Sequence, residues 1–207
     1  MEKSKDTYLT VAGISEGLYK EKGSKFLAFV FPCDNKETAK THLDRLRKEH
    51  RNACHVCFAW RFGTTNFSDR YSDDGEPANS AGKPIFGQIL SFQLTNVLIA
   101  VVRYYGGTNL GVGGLITAYK TSSKEALLNA IIQEKVIQIP YQITFTYPET
   151  GAVMNLLNKL SIEMLSQGVD GNSPYLLVGV KRAEVEKLIA TFSVLHTVKI
   201  NLLENED

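Results

Sequence analysis

Apolar residues occur along this chain in short runs whose spacing changes several times, and each change marks an element. Residues 26–31 are apolar without a break, between the turn Lys22-Gly23-Ser24 and Pro32, and this predicts a strand. Residues 8–11 and 13–19 predict two shorter strands before it. Beyond Pro32 the spacing becomes helical: Ala39, Leu43 and Leu46 recur on one face among charged residues. Asp34, with Glu37 three positions on, reads as the capping box that opens this helix. Residues 55–62 alternate as a strand, placing Phe58, Trp60 and Phe62 on one core-facing side. Residues 63–83 are polar and rich in Gly, Ser and Asp, and predict a long loop of the kind that carries function or mobility. Pro84 can open a helix, with Ile85, Phe86, Ile89 and Leu90 as its buried face. Residues 96–105 predict a strand, buried on both faces where residues 97–102 are uniformly apolar. A glycine-rich run, 106–114, leads into a helix expected over 115–134, with Leu115, Tyr119, Ala126, Leu127, Ala130 and Ile131 as its buried stripe.

The pattern changes character near residues 136–140. Strand 138–147, helix 150–160, strand 161–167, turn 169–174, strand 175–181, helix 182–192 and strand 197–203 give the order β-α-β-β-α-β, the ferredoxin-like succession. The expected fold class is therefore α+β, with domains 1–137 and 138–207. A hydrophobic share of 43% and a charged share of 22% suit globular domains and exclude a disordered chain. The net charge of +1 creates no field that announces a polyanion. The charge is nonetheless divided. Residues 1–137 hold 18 Lys and Arg against 14 Asp and Glu, whereas residues 138–207 hold 5 against 8. The charged N-terminus leads into no long apolar run, so a soluble, cytoplasmic protein without a membrane role is expected. The three cysteines are expected to be reduced thiols.

Four features could carry chemistry. The loop holding Asp73, Asp74, Glu76 and Lys83 could bind Mg²⁺ through its carboxylates, or use them as turn formers and helix caps. The segment Arg103-Tyr104-Tyr105-Gly106-Gly107-Thr108-Asn109-Leu110-Gly111-Val112-Gly113-Gly114 joins a strand to a helix. Free amides and the helix dipole can meet a phosphate there, or the glycines can serve tight packing and positive φ. Val112 and Gly113 stand where a Walker loop needs Lys and Ser or Thr, and Ile116 replaces the last glycine of a dinucleotide fingerprint. Cys54-His55-Val56-Cys57 lies on a strand, where residues three apart diverge. It therefore suits neither zinc nor redox chemistry, and His55 is left either buried or facing the loop. Arg70, Arg103, Tyr104 and Tyr105 border loops and could stack bases or hold phosphates. Lys120, one turn before Lys124, adds charge or simply marks a solvated helix face.

Taken together, Ser72-Asp73-Asp74-Gly75-Glu76-Pro77, Ala81-Gly82-Lys83-Pro84-Ile85, Asn96-Val97, Arg103-Tyr104-Tyr105-Gly106-Gly107 and Leu110-Gly111-Val112-Gly113-Gly114-Leu115 resemble the YigZ/IMPACT family. The resemblance implies a first domain like the second domain of ribosomal small-subunit protein five, and a second like the last domain of elongation factor G. It also implies a role in translation, since eukaryotic relatives regulate translation under amino-acid starvation. Asn109 and Thr117 depart from the Lys and Arg that many relatives carry, which weakens a basic clamp. The expectation is a non-catalytic protein with no cofactor and no metal. It would bind RNA, the ribosome or a translation factor, without DNA sequence specificity, through Arg70, Arg103, Tyr104, Tyr105, Gly106, Gly107, Asn109, Gly111, Gly113, Gly114 and Lys120, with His55, Asp73, Asp74, Glu76 and Lys83 in the adjoining loop. A Mg-dependent phosphate- or nucleotide-handling enzyme and a protein–protein adaptor are the alternatives.

Overall fold

The structure is a computed structural model that describes residues 6–203, so the ends of both expected domains, 1–5 and 204–207, lie outside the described residues. The chain divides into two compact units, one built on Tyr8–Lys135 and the other on the chain from Val136 onward together with residues 6 and 7.

In the first unit, β1 (Thr7–Val11), β2 (Ser15–Glu21) and β3 (Ser24–Pro32) precede α1 (Lys36–Glu49). Next come β4 (His55–Phe62), β5 (Ser68–Ser72), α2 (Gly82–Ser91), β6 (Val97–Tyr104), α3 (Gly111–Leu128) and β7 (Ile132–Val136). Five strands form one antiparallel sheet in the order β2-β3-β6-β4-β5, while β1 and β7 pair separately. The period-two alternation divides the core. Phe29, Phe31, Phe58, Trp60, Phe62, Leu98, Ala100 and Val102 pack with Ala39, Leu43 and Leu46 of α1. Phe26, Ala28, Val30, Cys57, Ala59, Val97, Ile99 and Val101 pack with residues of α2 and α3. The central strand β6 is covered on both sides, which accounts for its unbroken apolar run.

The fold departs from the sequence expectations at several points. Asn35, not Asp34, caps α1: its Oδ1 accepts from the Thr38 amide at 2.8 Å. The expected loop 63–83 contains β5, an edge strand whose residues are almost all exposed and so lack an alternating signature. Leu90 is exposed. The last helix of this unit starts at Gly111 and stops at Leu128; β7 takes the place of its expected final turn, and Ile131 is 74% exposed.

The second unit runs β8 (Gln138–Thr144), α4 (Thr150–Leu160), β9 (Glu163–Asp170), β10 (Ser173–Lys181), α5 (Val185–Phe192) and β11 (Lys199–Leu202). Its antiparallel sheet has the order β11-β8-β10-β9. Ile143, Phe145, Leu176, Val178 and Val180 of the sheet side pack on Val153, Leu157, Leu188 and Phe192. No helix among the described residues is long and apolar enough to cross a membrane.

Candidate functional site

The two loops singled out in the sequence meet at one end of the five-stranded sheet, because β4 and β6 align His55 with Arg103. What joins them is a buried polar network. Arg103 Nη1 donates to Glu76 Oε1 at 2.6 Å, and the Tyr119 hydroxyl donates to the same oxygen at 2.7 Å. The Cys57 Sγ lies 3.0 Å from the Asp73 carbonyl oxygen and 3.3 Å from the Tyr119 hydroxyl. Burial, above all, pushes both the Cys57 thiol and the Tyr119 hydroxyl well above their ordinary values, so both are neutral donors. The Arg103 guanidinium also lies over Phe26 and Tyr105, at 5.4 and 5.6 Å from the ring centroids.

The three loop carboxylates face different partners. Asp73 accepts from the amides of Asn79, Ala81 and Gly82, and so fixes the approach of the chain to α2. Asp74 accepts from the Val56 amide at 2.7 Å and from Arg47 at 3.0 Å. Glu76 is buried against Arg103. These contacts are the ones the turn-forming reading expects of these acids. Among the described residues, no group of three or more His, Cys, Asp or Glu side chains is placed to hold a metal ion. His55 faces this loop, with its Nδ1 2.7 Å from the Asp74 carbonyl oxygen, which can only accept; Nδ1 is therefore the protonated nitrogen of this bond.

The glycine run has mixed roles. The Gly106 amide donates to Ser24 Oγ at 3.1 Å, and a Cβ at Gly106 would overlap the backbone of Gly23 and Ser24. Close packing, rather than a phosphate, requires that glycine. Gly107 and Gly111 have φ of 83° and 71°, in the left-handed region that favours glycine. Gly113 has open space around it, and Gly114 would press only on the Leu110 side chain. Leu110 occupies the N-cap of α3 and makes no side-chain cap bond to the first turn. Tyr105 is exposed and its hydroxyl donates to Asn109 Oδ1 at 3.2 Å, while Lys120 is exposed further along α3.

Two candidate cations fall elsewhere. Arg103 is 6% exposed and ion-paired, so it is no free surface charge. Arg70 pairs with Trp60 across the strands, and Trp60 pairs with Leu98, six residues along β6 from Tyr104. At about 3.3 Å per residue this puts Arg70 on the order of 20 Å from the glycine loop. Its guanidinium lies 5.4 Å from the Trp60 ring centroid. Lys83 is exposed at the start of α2.

Sequence reading missed a cleft of about 490 Å³ lined by Leu18, Lys20, Gly23, Lys25, Leu27, Tyr104 and Tyr105. Tyr104 is held by its hydroxyl, 2.9 Å from His50 Nδ1. The signal in the chain was the recurrence of lysine in the β2–β3 hairpin, but the face those positions occupy becomes clear only once the register is known.

The chain is similar to several known proteins. The Impact N-terminal domain family profile matches residues 22–127. An IMPACT family member of Haemophilus influenzae is 36% identical over 174 residues, covering 83% of this chain and 82% of that protein. The IMPACT family member YigZ of Escherichia coli is 32% identical over 193 residues, covering 90% and 92%. A crystal structure described as that of a hypothetical protein aligns with a TM-score of 0.79 and 29% identity, covering 97% of this chain and 99% of that one.

Proposed function

The chain belongs to the IMPACT family, and from that membership we propose that it regulates translation in the cytoplasm by binding RNA, the ribosome or a translation factor, without catalysis. The finer architectural likeness belongs to the same reading: a first unit like the second domain of ribosomal small-subunit protein five, and a second, ferredoxin-like unit like the last domain of elongation factor G. The binding surface is the end of the five-stranded sheet where Tyr105, Gly107, Asn109, Gly111, Gly113, Gly114 and Lys120 lie beside the loop of His55 and Lys83. The observation that carries the reading is the start of α3. No side chain caps it, its first turn holds three glycines, and Gly111 and Gly113 have open space around them. An uncapped helix start presents amide donors and the positive end of the dipole to an anion. The family's acidic loop supports this surface from beneath, since Glu76 and Asp73 are consumed in holding Arg103 and α2.

Ribosome co-sedimentation over a salt series tests the proposal. The protein should pellet with ribosomes or their RNA at low salt and be released as salt rises. Gly113→Glu combined with Lys120→Glu should reduce the pelleted fraction about tenfold, because it places a carboxylate at the amide-rich start of the helix and reverses the charge of a cation further along it. Equal pelleting of this variant and the unaltered protein would refute the surface, and no pelleting of either would refute the function.

A further inference from the structure

We propose that the cleft lined by β2, β3 and the end of β6 binds a segment of single-stranded RNA, with phosphates on Lys20 and Lys25 and a base on Tyr105. This rests on the functional reading above and extends it to a second surface that meets the first at Tyr105.

The register sets the cleft out in rows. Lys20 pairs with Lys25, and Lys25 with Tyr104. In the next row Leu18 pairs with Leu27, and Leu27 with Val102. Partners directly opposite in an antiparallel pair share a face. Two ammonium groups, an aromatic ring and an apolar floor therefore lie on one side of the sheet. Lys22, in the turn between the strands, is exposed but does not line the cleft. None of these lysines makes an ion pair with a described residue. The nearby Glu21 carboxylate accepts from Tyr19, which packs toward α3 on the other face. Glu16, opposite Phe29, lies beyond the leucine row and marks the acidic limit of the face.

Like charges directly opposite each other destabilise a strand pair. Among the described residues no carboxylate pairs with Lys20 or Lys25, and a bound anion relieves this repulsion. The aromatic residues indicate what else the ligand carries. Tyr105 is 47% exposed and Tyr104 is fixed by His50, so rings of settled orientation line the same cleft as the lysines. Regularly spaced anions that also carry planar rings are the chemistry of an unpaired nucleic-acid strand. In a duplex the bases are stacked inside and could not reach these rings.

Fluorescence anisotropy with a labelled oligouridylate of about eight nucleotides, titrated over a range of salt, tests the inference. The unaltered protein should bind. Lys20→Ala with Lys25→Ala should weaken binding at least tenfold. The same pair should flatten the log–log salt slope by about 1.4, at about 0.7 for each phosphate no longer neutralised. Tyr105→Leu should weaken binding about tenfold with the slope unchanged. Lys20→Arg with Lys25→Arg should retain binding, and unchanged Trp60 fluorescence confirms that each variant is folded. The inference is overturned if the unaltered protein ignores the oligonucleotide, or if the alanine pair keeps both affinity and slope. If ribosome pelleting then persists and still depends on Lys120, the cleft is wrong while the broader function stands.

Discussion

The residue that organises the site is Glu76, and its role follows from burial. With Arg103, it forms an ion pair shielded from water, and one of its oxygens also holds Tyr119. Removing one partner of such a pair leaves the other charge uncompensated, at about 3–5 kcal/mol. Glu76→Ala should lower stability by that amount in urea unfolding, and Glu76→Gln by less, because its amide oxygen can still accept from Tyr119. The thiols differ in the same physical terms. Cys54 is exposed while Cys33 and Cys57 are buried, so a thiol reagent should modify one cysteine of the native protein and the other two only on unfolding. Burial pushes the Cys33 thiol up to about 11. The folded protein therefore keeps a proton that the unfolded chain gives up above its ordinary value near 9. Stability from this group is complete below that value and is lost as pH rises toward about 11, with Cys57 acting in the same direction. Comparing urea midpoints at about pH 8 and about pH 10.5 should show a larger drop for the unaltered protein than for Cys33→Ala. Little of this was legible in the sequence. Glu76 lies among acids that look alike on paper. Its distinguishing partners are 27 and 43 residues away and are brought to it only by the sheet and α3.

At the scale of elements, legibility followed burial. The core-facing alternation of β4 and the unbroken run of β6 were readable because both strands bury residues in a fixed rhythm. β5 was invisible because an exposed edge strand imposes no such rhythm. The two ends of α3 were misplaced for separate reasons. Glycines that look like loop residues form its first turn, and beyond Leu128 the apolar residues Ala130 and Ile131 lead into the strand that pairs with β1. The start of α1 shows how adjacent capping residues compete. Asp34 and Asn35 are both competent caps, but only Asn35 reaches the Thr38 amide. Asn35→Ala should cost about 1 kcal/mol in thermal or urea unfolding. Asp34→Ala should cost less, since Asp34 bonds no helix amide and meets the cap only by accepting from Asn35 Nδ2 at 2.8 Å. Equal losses would mean that the two residues share the cap.

For the whole molecule, the division into two parts was readable because the periodicity itself changes near residue 137. The placement of the proposed binding surfaces stayed hidden because it depends on strand register. The division has a thermodynamic consequence. The buried side chains fall into clusters with no member in common: two on either face of the first sheet and one in the second unit. Trp60 is the single tryptophan and belongs to the cluster beneath α1, stacked between Phe58 and Phe62 at centroid distances of 5.2 and 5.3 Å. Its fluorescence therefore reports the first unit, whereas far-ultraviolet circular dichroism reports both. Leu157→Ala removes a fully packed side chain from the second core, a change that costs about 2–5 kcal/mol in such settings. In a urea titration this variant should move part of the dichroism transition to lower denaturant and leave the Trp60 transition where it was. Phe31→Ala should instead move the Trp60 transition to lower denaturant, together with the first unit's share of the dichroism transition. If Leu157→Ala displaced both signals together, the two cores would be melting as one cooperative body, and stability could not be assigned to the units separately.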